Sequence, residues 1–544
     1  MKKNFYMWCM ALFAVLFISS CHRAPESAQL IPDDAIAVLR WDVKGTLDQA
    51  GENNMGKFSK YIKSQLKDAD INAALRKKVE NIIDDPKSLG LDLRDPIYFV
   101  GGTKEVKSEW LFVGSVYDKD DFTDFLKALE KEEAIEGMNV KDDICSAYGQ
   151  RLVIVYDKNK FAITQRKYSQ EYEEAIDELK DLFDNDGKNS LADDESFKVF
   201  DSKGGLAQLL LRGDGLYNAI GSSDKKSLKR FEKQMDDARL EDYDMIYALD
   251  FKDGEAELSG ELVAKTTEAD NYLEKMWGYL GDIDGSLLGY ISDNALVSAA
   301  AHLDGEKLYE YIKPLLKDND EEEVAQIKKI VTAINGDAVF GLYDMVEDNA
   351  VFDCYVSSKN NNLLIPFSDT IVYESKGENR YSKNVKAYKW VGYDYYDTYD
   401  SDMDTVAVGD SYDDYMDFSN PYREVTVGKF VAEYKNKVTY FGVSEEPAPF
   451  KKAKNAVDSE GFAGKKFYAR FNPKALLNMK SFKENEDKDY MKDAKNIINL
   501  FDYAELSTEG KGKASLRVVM NDKNVSPLEI LAENLLELFE KYTN

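Results

Sequence analysis

Five times along this chain a β-rich stretch runs into a turn bearing Asp or Asn and then into a short amphipathic helix. The copies are "AIAVLRWDVKGTLDQA" from Ala35, "LFVGSVYDKDDFTDFLKALEK" from Leu111, a weaker "GLAQLLLRGDGLYNAI" from Gly205, "ALVSAAAHLDGEKLYEYIKPLL" from Ala295 and "KFYARFNPKALLNM" from Lys466. The second copy shows the physics. Asp118 and Asp120 precede the helical stretch and can cap its free N–H groups. Phe122, Phe125, Leu126 and Leu129 then follow at helical spacing and form one apolar stripe. A strand ahead of such a stripe supplies apolar residues to pack on it.

The copies from Ala35 and Ala295 also agree in detail. Ile31, Asp33, Ala35 and Gly45 fall opposite Ile291, Asp293, Ala295 and Gly305, a constant offset of 260. We therefore expect two halves of similar plan, 30–285 and 286–544. Between the copies, "DPIYFVGG", "RLVIVYDKNKFAIT", "DAVFGLYDMV", "NAVFDCYVSS" and "KFVAEYKNKVTYFGVS" read as strands and hairpins, and "QEYEEAIDELKDLFD" as a helix. A last helix starts at Ser526, with Pro527 in its first position, Glu529 closing a capping box, and Leu528, Leu531, Leu535, Leu538 and Tyr542 as its buried stripe. The pattern predicts an α+β fold: antiparallel sheets with helices packed on one face.

The first residues carry an address. Met1-Lys2-Lys3 is followed by an apolar run from Phe5 to Ile18. That run is shorter than the about 20 residues a membrane span needs, and it fits a secretory signal peptide, residues 1–20. Ile18-Ser19-Ser20-Cys21 resembles a bacterial lipobox, which implies cleavage before Cys21 and acylation of that cysteine. Each buried CH₂ contributes about 0.8 kcal/mol, so several acyl chains make a stable anchor. Residues 21–29 would be a lipidated tether. His22 to Gln29 span at most about 26 Å when extended, which keeps the folded body close to its membrane.

The chain has 544 residues, ample for two or more cores. Its formal charge is −30, and removal of residues 1–20 takes away Lys2 and Lys3 and no acid. A field of that sign repels nucleic acid and anionic lipid surfaces. No nucleic-acid partner is expected, while divalent cations and basic protein surfaces remain open. Cys145 and Cys354 remain besides the anchor, Cys9 being lost with the signal. Export permits a disulfide between them, but "DDICSAY" and "VFDCYVS" read as strand, which favours two buried free thiols.

Catalytic constellations are scarce. The chain has two histidines, His22 in the tether and His302 in "SAAAHLDG" at a strand end. A Ser-His-Asp site or a multi-histidine metal site needs more. A thiol enzyme would have only His302 to serve Cys145 or Cys354. No P-loop, dinucleotide fingerprint, zinc-finger spacing or nucleophile elbow occurs, and no cofactor is expected. A glycosidase needs only two acids at the right separation, and among 101 acidic residues sequence spacing says nothing about that. The segment 393–418, "YDYYDTYDSDMDTVAVGDSYDDYMDF", holds nine Asp and six Tyr. Asp400, Asp402 and Asp404 alternate as at the start of a calcium loop, but Thr405 stands at the glycine position and Ser411 at the twelfth, which argues against an EF-hand. Self-repelling charge reads first as a solvated loop, with a calcium site or an adhesive Tyr/Asp surface as the alternatives.

The lipobox at Ile18–Cys21, "LIPDDAIAVLRWDVKGTLDQAG", "SLGLDLRDPIYFVGG" and the late "NPKALLNM" together resemble a family of Bacteroidota lipoproteins known only as a domain of unknown function, number 4836. The resemblance spans nearly all of the mature chain, and its motifs are structural, so it brings no reaction, cofactor or site residue with it. In that phylum, surface-exposed lipoproteins often carry an acidic run just after the lipidated cysteine. Here His22-Arg23-Ala24-Pro25-Glu26 departs from the pattern, which favours the outer membrane's periplasmic face. Asp369-Thr370-Ile371 and Asp404-Thr405-Val406 resemble the phylum's O-glycosylation motif, making Thr370 and Thr405 candidate sites. The expected function is a non-enzymatic, lipid-anchored envelope protein that binds or scaffolds another protein. The rivals are a carboxylate-based glycan hydrolase and a calcium- or ligand-binding module.

Overall fold

The computed structural model describes residues 25–68, 71–184, 189–223, 239–316, 319–346, 349–368, 374–375, 379–390, 422–483 and 489–534. Its contacts divide the chain into two compact units, Met1–Trp277 with Ala504–Asn544, and Gly278–Tyr503. The class is α+β with antiparallel strand pairing throughout, as expected. The division falls after Trp277 and not after 285, and the last segment belongs with the first unit.

The first unit contains β1 (Ala37–Trp41), β2 (Leu91–Asp92), β3 (Ile97–Gly101), β4 (Trp110–Val116), β5 (Gly137–Asn139), β6 (Cys145–Gly149), β7 (Leu152–Tyr156), β8 (Lys160–Gln165), β9 (Ala207–Arg212), β10 (Tyr243–Lys252) and β11 (Glu255–Ala264). Their order is 5-6-7-8-4-3-1-9-10-11, each neighbour antiparallel, with β2 beside the end of β4. The second unit contains β12 (Leu280–Gly281), β13 (Val297–Asp304), β14 (Ile334–Val346), β15 (Asn349–Ser358), β16 (Glu374–Ser375), β17 (Arg380–Trp390), β18 (Tyr422–Lys435), β19 (Val438–Ser444) and β20 (Phe467–Phe471). Here the order is 16-17-18-19-15-14-13-20, with β12 beside β13. The second order matches the first eight strands of the first order, β13 standing for β1, β15 for β4, β19 for β8 and β20 for β9, and β10 and β11 extend the first. Near the C-terminus come β21 (Phe501–Gly510), which belongs to the first unit from Ala504, and β22 (Lys513–Met520), which pairs with β11. That pairing is why 504–544 leaves the half in which the sequence placed it.

All five strand–turn–helix stretches are a strand followed by a helix. Asp118 caps the helix Lys119–Glu130, accepting from Asp120 N at 2.9 Å and Asp121 N at 3.0 Å, so Asp120 sits inside the first turn. Phe122, Phe125, Leu126 and Leu129 are all buried. The strands β7 and β8 alternate between two cores. Tyr156, Phe161 and Ile163 join the core under the helices Glu52–Asp68, Ala73–Asp84 and Lys119–Glu130. Val155 and Ala162 join the core under the helix Tyr172–Asp184. Helices therefore cover both faces here, where one covered face was expected; both sides of these strands carry apolar residues, so both need cover. The last helix, 527–534 among the described residues, starts with Ser526 Oγ accepting from Leu528 N at 3.2 Å, but Leu531 is 52% exposed and not part of a buried stripe.

The turns leading into β1 and β13 are held alike. Asp33 N donates to Asn189 O and Leu191 N to Ile31 O, each at 2.9 Å, and Asp293 N donates to Asn455 O and Val457 N to Ile291 O, each at 3.0 Å.

Candidate functional site

The two units part company just beyond β8 and β19. After β8 comes the helix Tyr172–Asp184, which buries Ala175, Ile176, Leu179, Leu182 and Phe183 on the sheet. The sheet positions beneath include Leu111, Val113 and Ala162, all apolar and fully buried. After β19 the segment 445–466 contains no helix. On the corresponding face of the second unit lies an open pocket of about 570 Å³.

The registers show what replaces the apolar residues. Leu111 lies between Val100 and Thr164, and Asp353 lies in the same place between Gly341 and Gly442. By the same registers Tyr355 stands where Val113 does, and Tyr440 where Ala162 does. Both cross-strand neighbours of Asp353 are glycine, and space is the reason. A Cβ on Gly442 would come 2.0 Å from Tyr440 Oη, and one on Gly341 would come 3.0 Å from Tyr343 Oη. Tyr343 enters through a bulge: the β14–β15 register shifts between Leu342 and Asp344. An extra residue at a bulge re-aims its side chain.

These features put a carboxyl under two phenols. Tyr440 Oη donates to Asp353 Oδ1 at 2.7 Å, and Tyr343 also hydrogen-bonds Asp353 while accepting from Ser292 N at 3.3 Å. Burial pushes the Asp353 carboxyl above its ordinary value, against the lowering effect of both phenols. Burial also pushes the hydroxyls of Tyr343, Tyr355 and Tyr440 well up, with the Asp353 charge adding to it. Behind them Tyr290 stacks on Tyr355 with centroids 4.8 Å apart, and Tyr355 lies 5.0 Å from Tyr440. Phe450 packs on Tyr355 at 6.2 Å from a left-handed backbone, φ 66°, which is uncommon for a bulky residue. Ala453 N donates to Gly289 O at 3.0 Å. With Phe450 and Ala453 so held, Lys451, Lys452 and Lys454 line the pocket, together with Glu446 and Asp293.

The raised Asp353 carboxyl has a signed consequence. An unfolded Asp releases its proton near pH 3.9, so the folded chain keeps that proton to higher pH. Its contribution is fully present below the ordinary carboxyl range and is lost as pH rises through the folded value. Asp353→Asn cannot ionise and can still accept from Tyr440. We expect it to melt above the parent at pH 7 and to lose that advantage near pH 3.5, in thermal melts across pH. A parent–variant gap that stays constant with pH would rule this out.

His302 proves to have a partner. Its Nδ1 lies 2.8 Å from Asp337 Oδ1, across the β13–β14 pairing. The buried Asp337 carboxylate also accepts from Gly285 N at 2.8 Å and from Asp284 N at 3.1 Å. Burial holds Asp337 above its ordinary value. Ser286 N–H, at 2.6 Å, holds Asp284 below its own. The His302–Asp337 pair ties the turn at Asp284–Gly285 to the sheet, and among the described residues no hydroxyl or thiol hydrogen-bonds the His302 ring.

Cys145 and Cys354 are both free thiols, the first buried, the second half-buried with its thiol pushed up to about 11 chiefly by burial. Cys21, Thr370, Thr405 and Asp400, Asp402 and Asp404 lie outside the described residues, as does the whole of 393–418. Among the described residues no three His, Cys, Asp or Glu are grouped to hold a metal ion, and no helix is long and apolar enough to cross a membrane.

A search of the curated proteins found no match. Among solved structures, crystal form IV of TP0453 matches at 11% identity over 44% of this chain and 81% of that one, with a TM-score of 0.25. Crystal form III of the same protein matches at 12% identity over 47% of this chain and 88% of that one, also with a TM-score of 0.25. Scores of that size do not establish a shared fold. The family model described as "Domain of unknown function (DUF4836)" matches residues 28–528, nearly the whole chain, and the chain belongs to that family.

Proposed function

We propose that this chain is a lipid-anchored cell-envelope protein, held to the outer membrane through Cys21, that works by binding and not by catalysis. One observation carries the binding part. A sheet face that a helix fills in the first unit is open in the second, and it carries hydrogen-bonding side chains in place of a sealed apolar core. A position that has given up apolar packing needs another reason to hold a carboxyl and two phenols. The run from Phe5 to Cys21 supports the anchor, and the strongly negative charge supports an occupant other than nucleic acid.

The test combines anchor and pocket. Cys21→Ala should move the protein from the membrane fraction to the soluble fraction. A photo-crosslinking residue in place of Ala453, which lines the pocket, should form a discrete adduct in cells. The same residue in place of the exposed Asn81 should not. Equal adducts at both positions would remove the pocket as the binding site.

One observation favours the glycan hydrolase instead: Asp293, Asp353 and Glu446 line the same pocket. Glycosidases hold two acids about 5 to 9.5 Å apart. Against this, two tyrosine hydroxyls occupy Asp353. Saccharide turnover by the purified chain, abolished by Glu446→Gln, would decide for the hydrolase.

A further inference from the structure

We infer that the pocket of the second unit takes an anionic saccharide, a sugar ring bearing a carboxylate or a phosphate. This rests on the binding reading above and adds the chemistry of the occupant. The volume of about 570 Å³ lies within the range of small-molecule sites, about 300 to 1,000 Å³. Most such sites are largely apolar with a few polar groups. This one is mainly polar, with Ser292, Asn294, Ser444 and Asn455 beside Tyr343 and Asp353. Many neutral donors and acceptors in one cleft suit a ligand with many hydroxyls. Left unmatched on binding, each would cost affinity. The half-buried Tyr290, backed by Tyr355, offers a flat apolar surface for the C–H face of a sugar ring.

Charge supplies the second half of the inference. On a chain of net charge −30, three lysines fall within four residues at the pocket mouth. Lys451, Lys452 and Lys454 are exposed, and none forms an ion pair with another described residue. The same pocket carries three acids, Asp293, Glu446 and Asp353, the last of them hydrogen-bonded by Tyr440 and Tyr343. The three lysines thus stand with two exposed acids, Asp293 and Glu446, and a loop bonded back to Gly289 holds the lysines at the rim. A carboxylate or phosphate on the sugar would meet these ammonium groups while its hydroxyls reach Asp353 and Tyr343. Phosphate and uronate offer the same anionic chemistry, so the experiment separates them.

The full chain, purified in detergent, is titrated at low salt with trigalacturonate, with glucose 6-phosphate and with neutral maltotriose, and the heat of binding is recorded. At least one anionic sugar should bind about tenfold more tightly than maltotriose, with affinity falling as salt rises. Whether trigalacturonate or glucose 6-phosphate binds identifies the anion. The combined variant Lys451→Gln, Lys452→Gln, Lys454→Gln, all at exposed positions, should lose that advantage with an unchanged melting temperature. Tyr290→Ala should weaken every saccharide. Maltotriose binding as tightly as the anionic sugars, with the lysine variant indifferent, would overturn the anionic assignment and leave the binding reading intact. No binding of any saccharide by a chain that melts normally would overturn the inference outright. The photo-crosslinking experiment uses none of these sugars, so either can fail without the other.

Discussion

Phe122→Ala is expected to destabilise the first unit by about 3–5 kcal/mol, the range for losing a fully buried phenylalanine. Phe122 is 0% exposed. Its ring meets Tyr156 edge-on at 5.0 Å and lies 6.1 Å from Phe161. It stands in the first turn of the helix capped by Asp118, so its removal opens a cavity where the helix meets β7 and β8. The surroundings cannot easily collapse, because Tyr156 is also tied to Thr123 by a hydroxyl contact of 2.9 Å. Urea unfolding followed by circular dichroism measures the loss. The exposed Lys127→Ala on the same helix should stay within about 0.5 kcal/mol of the parent. A Phe122→Ala loss below about 1 kcal/mol would mean that the helix is not seated as described.

Gly305→Ala should cost about 3 kcal/mol, the upper part of the range for overpacking. Gly305 opens the helix Gly305–Ile312, whose N-cap Asp304 accepts from Glu306 N at 3.1 Å and Lys307 N at 3.3 Å. A Cβ there would come 2.2 Å from Val331 O and 2.5 Å from Ile334 O. Both obstacles are main-chain oxygens, one at the end of the helix Glu321–Val331 and one at the start of β14. Neither can swing aside as a side chain would, so the strand or the helix must shift. Gly289→Ala is the matched control, since a Cβ there meets only the Lys452 side chain, no closer than 3.9 Å. Equal melting temperatures for the two variants would disprove the steric argument. Gly45, the sequence counterpart of Gly305, would meet the side chains of Leu206 and Asp42, which can move. Residues that match in sequence thus face different constraints.

The strand-to-helix stretches were legible because their evidence is local. Alternation gives way to helical spacing within a few residues, with an acid at the junction, and Asp118 with its apolar stripe sits almost where the pattern put it. The pocket was not legible, because its evidence is not local. Asp353 becomes a site residue only through a register that sets it between Gly341 and Gly442, two residues about 100 positions apart in sequence. Tyr343 faces it only because a bulge shifts the register, and the pocket is open only because 445–466 forms no helix. The signal available was glycine: "VFGLYD" and "TYFGVS" each place one inside an aromatic-rich strand, where it often marks a close approach. His302 looked solitary for the same reason, since Asp337 reaches it across a strand pair. The return of β22 to β11 spans more than 250 residues of chain, beyond the reach of any periodicity.

The missing helix has a consequence for how this chain can change over time. Beneath the helix Tyr172–Asp184 every side chain answers to a neighbour's volume, so a substitution at Leu111 or Ala162 must be matched by another in the helix. At Asp353 and Tyr343 one side is free of that obligation. Mutations there alter what the surface attracts before they alter whether the chain folds. Of two units that share a run of strand order, the first is held to its sequence by packing, while the second has room to exchange one occupant for another.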